Sequence, residues 1–498
     1  KQFGRHTVGA LLGHSAIESR YNTSTASKQG FPTENIYELN GGTDKPGASG
    51  KSEKYTLQSF FARLTYSFDD RYLLEFNIRR DGSSRMPKAH RYANFPSVSA
   101  GWVFSNESFM ECAKWLSMGK LRVSWGKLGN QEIGNYAYSA TLGASGNYYF
   151  DESIKQAGMV QTSIPNENIK WETTRSVNAA IDLGFLNNRI TTTFDWFDKK
   201  TSDILMQLSM PGIFLGSLAA PYQNVGAVRN RGWEWQTNYS DSRRDWSWNI
   251  GFNLSHVKNT ILEMGGLRER IDGNTINRVG QPIGAFFGYR ALGIYRTEED
   301  LNRTNSKGEV IKQNGVAPKL GDIMYADTDD SGNITPDDRE IIGNPFPSYS
   351  YAFNIGFACK NIDVSTFWQG VAGLYRYNWE TSTDIRGNLT SRWLDRWSPE
   401  NVEGSMPALG NTMNDSYSSF WLEKSNYLRL KNLEVGYTFR QPALAKAGIS
   451  SIRVYFAGSN LWTVTPLKNW DPEKSSGDQR NDVHPNMRTY SFGVNIQF

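Results

Sequence analysis

A two-residue alternation of apolar and polar side chains, repeated along most of the chain, constrains the fold more than any other feature. In the last segment, every second position is apolar or aromatic: Tyr490, Phe492, Val494, Ile496 and Phe498. The residues between them are small or polar. Successive side chains of a β-strand point to opposite faces, so the segment predicts a strand with one apolar face. Residues 190–196 and 246–255 show the same alternation.

Two features favour lipid, and not a second sheet, as the environment of the apolar face. The alternating segments are about ten residues long, whereas strands of soluble proteins usually have about five or six. Aromatic residues also gather near the segment ends, as is typical of the border between hydrocarbon and water. No run of about 20 apolar residues occurs, which excludes a helical membrane protein. We therefore predict an all-β fold, a transmembrane antiparallel β-barrel.

We predict about fourteen strands, joined by short and long connections in alternation. The strands are expected at residues 7–18, 56–68, 72–80, 94–104, 120–128, 173–186, 189–199, 231–239, 246–257, 348–359, 363–373, 427–439, 452–461 and 489–498. The long connections are residues 82–92, 129–170, 202–229, 259–347 and 377–426. Outer-membrane barrels alternate in this way, with short periplasmic turns and long external loops.

Two of the connections carry further expectations. Residues 105–117, on the short-turn side, predict a short amphipathic helix. Within residues 259–347 we predict a long extracellular loop without a barrel strand. A hairpin near residues 286–295 would also satisfy the alternation of up and down strands.

Composition excludes several classes of function. The chain has 54 Lys and Arg residues against 50 Asp and Glu residues, a formal net charge of +4, so a strongly basic nucleic-acid binder is excluded. Two cysteines are too few for a disulfide framework. The five histidines include no pair four residues apart, and no sequence typical of a catalytic nucleophile or phosphate loop occurs. We predict that the chain is not an enzyme and requires no cofactor.

The most specific local motif is residues 327–338, which has the spacing of a calcium-binding loop. Oxygen-bearing residues stand at positions 1, 3, 5, 7, 9 and 12 of this segment: Asp327, Asp329, Ser331, Asn333, Thr335 and Asp338. A glycine follows position 5, where such loops turn sharply. The neutral residue at position 5 and the short Asp at position 12 depart from the usual pattern. The alternatives are a structural Ca²⁺ site and an acidic turn without an ion.

The predicted long loops also contain many aromatic and arginine residues. The aromatic residues are Tyr148, Tyr149, Phe150, Phe214, Tyr222, Trp379, Trp393, Trp397, Tyr417, Phe420 and Trp421. The arginines are Arg268, Arg270, Arg278, Arg386 and Arg392. Aromatic faces stack on sugar rings, and arginines bind carboxylates. The alternatives are that the aromatic residues pack the loops together, and that the arginines are solvated, with Glu269 paired with Arg268 or Arg270.

Several segments together resemble one family of outer-membrane proteins. In chain order they read SFDDRYLLEFNIRRDGSSR, FPSVSAGWVFSNESFM, DTDDSGNITPDDREIIGNPFP, DVSTFWQG, NYLRLKNLEVGYTF, GSNLWTVTPLKNWDPE and RTYSFGVNIQF. These segments closely resemble the C-terminal half of SusC/RagA-type TonB-dependent transporters of Bacteroidetes, and the resemblance extends along essentially the whole chain.

The resemblance implies a 22-stranded barrel in the outer membrane, of which the fourteen predicted strands are the last fourteen. It implies three further parts: an N-terminal plug, a SusD-like surface lipoprotein that acts as a lid, and energy supplied by TonB–ExbB–ExbD. The cargo would be an oligosaccharide or a peptide. We expect residues 1–498 to be a fragment of such a barrel, lacking the plug and the early strands. The alternating residues 490–498 resemble the signal that barrel-assembly machinery recognises.

Two alternative functions stay open at this point. The first is a receptor or adhesin barrel that binds without import. The second is a self-contained passive porin of about fourteen strands, which would require residues 7–18 to pair directly with residues 489–498. Among importers, the breadth of the family and the loop aromatics favour a glycan over a peptide.

Overall fold

The computed structural model describes residues 1–144, 146–150, 155–208, 211–216, 218–377, 389–467, 471–474 and 484–498. Its main element is one antiparallel sheet of fifteen strands, in which each strand pairs with its neighbours in sequence. The strands are β1 (Gln2–Phe3), β2 (His6–Gln29), β3 (Asp44–Phe68), β4 (Tyr72–Ser83), β5 (Tyr92–Trp102), β6 (Leu116–Asn130), β7 (Glu172–Phe185), β8 (Ile190–Gln207), β9 (Tyr222–Ser242), β10 (Trp246–Met264), β11 (Tyr349–Cys359), β12 (Ile362–Ala372), β13 (Tyr427–Phe439), β14 (Ser451–Val464) and β15 (Thr489–Gln497).

All fourteen predicted strands are present, and β1 is a two-residue addition. Several strands are longer than predicted, most of all β2 and β3, whose ladder runs from His6 opposite Phe68 to Gln29 opposite Asp44. The added lengths carry Ser, Thr, Gly and Lys on both faces. Beyond the membrane both faces of a strand meet water, so the apolar alternation ends before the strand does.

The short connections are tight turns whose residues adopt left-handed backbone conformations. Asp69 and Asp70 have φ of 54° and 51°, and Lys360 has φ of 52°. Such angles belong to the hairpin turns that match the twist of paired strands. The predicted amphipathic helix at residues 105–117 is wrong. Two single 3₁₀ turns stand there, and β6 already begins at Leu116.

The reason for this difference is local. The Glu107 carboxylate accepts hydrogen bonds from the Tyr72 hydroxyl at 2.7 Å and from the Trp102 indole N–H at 3.0 Å. These bonds hold the segment against the ends of β4 and β5, and too few residues are left for a stable helix.

The long connection between β10 and β11 folds as small sheets outside the main one. Four short strands form one of them: Glu269–Asp272, Thr275–Arg278, Ala285–Gly288 and Glu340–Gly343. Ala291–Ile294 pairs with Ile323–Tyr325, and Lys312–Gln313 pairs with Asn333–Ile334. No described residue of this loop joins the main sheet, so the barrel-hairpin alternative at residues 286–295 is wrong: its two strands pair with other segments and not with each other.

The apolar core of the described chain lies in the external connections and not between sheets. The cluster, hereafter the loop core, combines residues from the β10–β11 and β12–β13 connections: Phe286, Tyr289, Ile311, Ile323, Tyr325, Ile334, Tyr377, Trp393, Met406 and Trp421. By contrast, large apolar side chains of the main sheet are exposed, as with Leu12 at 86% and Phe492 at 82%. No helix within the described residues is long and apolar enough to span a membrane.

Candidate functional site

The main sheet has two chemically different faces, and the register shows how residues align on them. On the apolar face, aromatic residues line up directly across β8 to β11: Trp196 opposite Trp233, Trp233 opposite His256, and His256 opposite Tyr349. The rings of His256 and Tyr349 are 5.0 Å apart. An aligned aromatic row is typical of the girdle where a barrel passes from hydrocarbon to water. We call this side the outward face.

The C-terminal segment lies on the same outward face. Tyr490, Phe492, Val494 and Ile496 are 61%, 82%, 59% and 49% exposed, and Phe498 beyond the strand end is 86% exposed. The Phe492 ring lies 5.3 Å from that of Phe456 on β14. The structure thus confirms the alternation, while the assembly signal stays a prediction.

The opposite, inward face is polar, and its arginines are paired with acidic residues. Arg122 on β6 binds Asp182 on β7 through two hydrogen bonds of 2.7 and 2.9 Å. Arg453 on β14 binds Asp363 and also Glu434, the latter at 2.5 Å. Pairing of this kind suits a wall that faces water or another polar protein part, because most of the arginine charge on this face is neutralised.

A groove of about 490 Å³ opens on the inward face across β8 to β12. Its polar lining residues are Thr193, Asp195, Glu234, Gln236, Asn253, Ser255, Ser350 and Gln369. The same groove also has apolar lining residues such as Phe367 and Val371, so it can hydrogen-bond a hydrophilic molecule and contact that molecule's apolar parts.

The structure divides the candidate loop aromatics into two groups. Trp393 and Trp421 are buried in the loop core, and Tyr417 and Phe420 pack against it. The Trp421 indole N–H donates to the Asn414 carbonyl at 2.9 Å, so its hydrogen-bonding group is already used. Trp393 and Trp421 hold the loops together and are not available for stacking on a sugar, whereas Tyr417 and Phe420 are partly exposed.

The remaining aromatics lie outside the loop core. Tyr222 packs against a second buried cluster that contains Phe95 and Trp171, and Trp397 is half-buried. Tyr148, Tyr149, Phe150 and Phe214 are exposed, with fractions from 56% to 80%. Trp379 lies outside the described residues.

The loop arginines are also divided. Glu269 pairs with Arg278 at 2.8 Å and not with Arg268 or Arg270, because the ladder places Arg278 directly opposite it. Arg392 pairs with Glu423 at 2.6 Å. Arg268 and Arg270 are exposed. Arg386 lies outside the described residues.

Three of the six predicted calcium ligands come together. One carboxylate oxygen from each of Asp327, Asp329 and Asp338 lies within 4.8 Å of the other two. Backbone N–H groups point into the same loop: Ser331 donates to Asp327 at 3.1 Å and to Asp329 at 3.0 Å, and Gly332 donates to Asp327 at 2.8 Å. Gly332 has φ of 76°, the left-handed conformation that the sharp turn requires.

The other side chains of the motif have local hydrogen bonds. The Ser331 hydroxyl donates to the Asn333 carbonyl at 3.0 Å, and the Thr335 hydroxyl accepts from the Asp337 N–H at 3.3 Å. Fully buried Asp338 accepts from the N–H groups of Thr328 and Thr335 at 2.7 and 2.8 Å. Hydrogen bonds from Ser331 hold the pKa of Asp329 below its ordinary value, so this carboxylate is ionised at neutral pH. The three carboxylates form a donor set that suits a hard cation.

The sequence analysis did not identify a buried ionic network at the external end of β13. The Arg429 guanidinium lies 2.8 Å from Asp471 and 2.9 Å from Glu473, and Lys431 lies 3.0 Å from Glu473. Asn486 also donates its backbone N–H to Asp471 at 2.8 Å. The network ties the β14–β15 connection to the inward face of β13. One sequence feature could have indicated this network: Arg429 stands at an inward position between the outward residues Leu428 and Leu430.

Comparisons with known proteins agree with this architecture. Residues 2–461 match the family described as TonB dependent receptor-like, beta-barrel. TonB-dependent receptor P3 of Formosa agariphila is 29% identical over 526 residues, covering 100% of this chain and 51% of that protein. TonB-dependent receptor SusC of Bacteroides thetaiotaomicron is 30% identical over 461 residues, covering 89% of this chain and 44% of that protein.

A solved structure of the RagAB peptide transporter superposes with a TM-score of 0.83 at 26% identity, covering 99% of this chain and 54% of the other. The RagAB peptide importer in its open-open state gives 0.82 at 25% identity. The chain therefore spans about half the length of the relatives that it matches.

Proposed function

Because the chain belongs to the TonB-dependent receptor-like β-barrel family, and resembles its SusC/RagA type, we propose that it forms the wall and external vestibule of an importer. Members of the family are receptors and transporters, not enzymes, and they lie in the outer membrane, as the sequence predicted. The observation that carries the proposal is the match to the RagAB peptide transporter along 99% of this chain, together with an apolar outward face and a polar inward face.

The proposed cargo is a hydrophilic oligomer, either an oligosaccharide or a peptide. The groove on the inward face supports this class, since its lining offers hydroxyl, amide and carboxylate groups. Because Trp393 and Trp421 are buried, they cannot stack on a sugar ring and no longer favour a glycan. The exposed loop aromatics can still do so: Tyr148, Tyr149, Phe150 and Phe214. The likeness to the RagAB transporter, which is described as a peptide transporter, supports a peptide as the cargo.

The proposed partners are a SusD-like surface lipoprotein, a plug within the barrel, outer-membrane lipid and TonB–ExbB–ExbD. The likeness to SusC and to the RagAB transporter supports the lipoprotein. The polar inward face, with Arg122 and Arg453 paired with acidic residues, supports a plug, because another polar domain can pack on such a surface.

We also propose that Asp327, Asp329 and Asp338 hold a structural Ca²⁺ ion in the loop between β10 and β11. Convergence of the three carboxylates supports this assignment. Such an ion would join the two ends of the motif and stabilise the loop next to the loop core.

The experiment for the import proposal uses the full-length protein in its own outer membrane. An affinity tag between Glu34 and Asn35 stands in an exposed external connection and leaves Phe498 free. Uptake of labelled oligosaccharide and peptide pools is then compared between cells with and without the gene. We expect copurification of a surface lipoprotein and uptake of one pool that stops when the proton gradient is collapsed.

Each alternative predicts a different outcome of the same experiment. Uptake that continues without a proton gradient would support the passive porin. Binding of a labelled pool at the surface without accumulation inside would support the receptor or adhesin.

A further inference from the structure

A group of six cations, only two of which have an acidic partner among the described residues, stands on the outward face, directly external to the aromatic row. Its members occupy neighbouring strands from β6 to β10: Lys127, Arg175, Lys200, Arg229, Arg231 and Lys258. We call this group the cation belt. Side chains on the outward face of a barrel meet lipid, so cations there require an explanation that cations on loops do not.

The register places the members of the belt side by side. Lys127 lies opposite Arg175, Arg175 opposite Lys200, and Lys200 opposite Arg229. Four adjacent strands about 4.8 Å apart make this row about 14 Å wide. Arg231 lies opposite Lys258 two residues closer to the membrane, a step of about 7 Å along the strand.

The height of the belt follows from the same ladders. Trp196 and Trp233 lie opposite each other in the aromatic row, and Asp198 lies opposite Arg231 two residues further toward the external end. The Arg231 guanidinium also lies over the Trp196 ring, 5.9 Å from its centre. The belt therefore begins where aromatic side chains mark the end of the hydrocarbon layer.

The protein balances the charges of the belt only in part. Asp198 binds both Arg229 and Arg231. Lys127, Arg175, Lys200 and Lys258 are exposed, and within the described part of the chain none of the four has a carboxylate partner. On the inward face, by contrast, arginines such as Arg122 are paired with acids.

From this position and charge we propose that the cation belt binds the phosphorylated headgroup of an outer-leaflet lipid. The headgroup layer begins at the level of the aromatic row, and a phosphate there can reach cations from adjacent strands at once. Arginine and lysine are the side chains that hold phosphate oxygens by charge-assisted hydrogen bonds. Such a site concerns the lipid around the barrel and is independent of the cargo.

The test uses the full-length protein in detergent, with diphosphoryl lipid A as the probe and native mass spectrometry as the readout. The belt variant combines Lys127→Gln, Arg175→Gln and Lys200→Gln, all at exposed positions, so the fold is preserved. The control variant combines Arg244→Gln, Lys360→Gln and Arg440→Gln, which removes the same charge from exposed positions at the short-turn end.

We expect the wild type and the control variant to bind diphosphoryl lipid A equally, and the belt variant to bind it at least about tenfold more weakly. Dephosphorylated lipid A should bind the wild type as weakly as the phosphorylated form binds the belt variant. Equal binding by all three proteins would overturn the proposal. The proposal would also be overturned if an equal concentration of inorganic pyrophosphate displaced the lipid. It would likewise be overturned if the belt variant still bound the lipid but lost the copurifying lipoprotein.

Discussion

At the scale of single residues, the external end of the barrel contains charges that are almost fully removed from water. The side chains of Arg429 and Asp471 are 5% and 4% exposed, and Glu473 is 14% exposed. A buried ion pair adds little stability compared with apolar residues of the same shape, but removal of one partner leaves an unpaired charge. The network therefore holds the β14–β15 connection against β13. Loss of any one charged residue destabilises the others, because they are buried together.

Arg429→Gln tests whether the ionic network holds this connection in place. The change leaves Asp471 buried without its cation, which should cost on the order of 3 kcal/mol of local stability. We expect limited proteolysis of the full-length protein to cut near residues 471–474 at least about tenfold faster than in the wild type. Arg440→Gln, which changes an exposed arginine at the short-turn end, is the control and should leave the cleavage rate unchanged. Equal rates in all three proteins would show that the network does not hold the connection.

Asp329→Asn tests the calcium proposal without disturbing the loop. Asparagine retains an oxygen that can accept the Ser331 N–H bond but loses the negative charge, so Ca²⁺ affinity should fall at least about tenfold. Asp330→Asn is the matched control, because Asp330 binds Ser306 and stands between the ligand positions. Calorimetric titration of the full-length protein measures both. Equal affinities, or no Ca²⁺ binding by the wild type, would contradict the proposal.

The same site has an expected pH dependence. The pKa of Asp329 is lowered in the folded protein, so its stabilising hydrogen bonds are complete above the ordinary Asp value near 3.9 and are lost as the pH falls through the lowered value. Protonation of this group should therefore not reduce Ca²⁺ binding until the pH is below about 4.

At the scale of secondary-structure elements, the two faces of one strand can be compared directly. Ile250 and Asn249 are neighbours on β10, and they point outward and inward respectively. A lysine on the lipid face near the middle of the membrane costs about 2–4 kcal/mol, whereas the inward face tolerates charge. We expect Ile250→Lys to lower the folded fraction in outer membranes several-fold and Asn249→Lys to leave it near the wild-type level. Heat-modifiable migration on gels measures that fraction, and the reverse order would mean that the faces are wrongly assigned.

The period-two alternation predicted every strand of the main sheet except two-residue β1, because the two faces of each strand meet different environments. The same argument explains the errors. The upper parts of β2 and β3 meet water on both sides, so their ladder leaves no hydrophobic period to detect. The short strands of the β10–β11 connection are fixed by long-range packing in the loop core. For example, Tyr325 lies opposite Ala291 in a two-stranded ladder, and no local sequence pattern encodes such a contact.

At the scale of the whole molecule, three surfaces meet three environments: an apolar outward face, a polar inward face and external loops with their own core. The sequence motif predicted which carboxylates converge, since Asp327, Asp329 and Asp338 lie in one short loop. It did not predict the Arg429–Asp471 pair, because those residues are 42 positions apart and meet only when β13 and β14 are in register. Single-chain patterns thus identify local sites, and sites between strands require the fold.

The C-terminal strand connects the finished structure to its assembly in the membrane. If Phe498 and the outward residues before it are the assembly signal, Phe498→Ser should lower the amount of protein in the outer membrane several-fold. The side chain is 86% exposed and packs on little else, so the thermal stability of the protein that does assemble should not change. Asn495→Ser, on the inward positions of the same strand, should affect neither quantity. Quantitative immunoblots of membrane fractions and thermal unfolding of the purified protein separate the two effects, and a fall in both would mean that Phe498 supports the folded barrel itself.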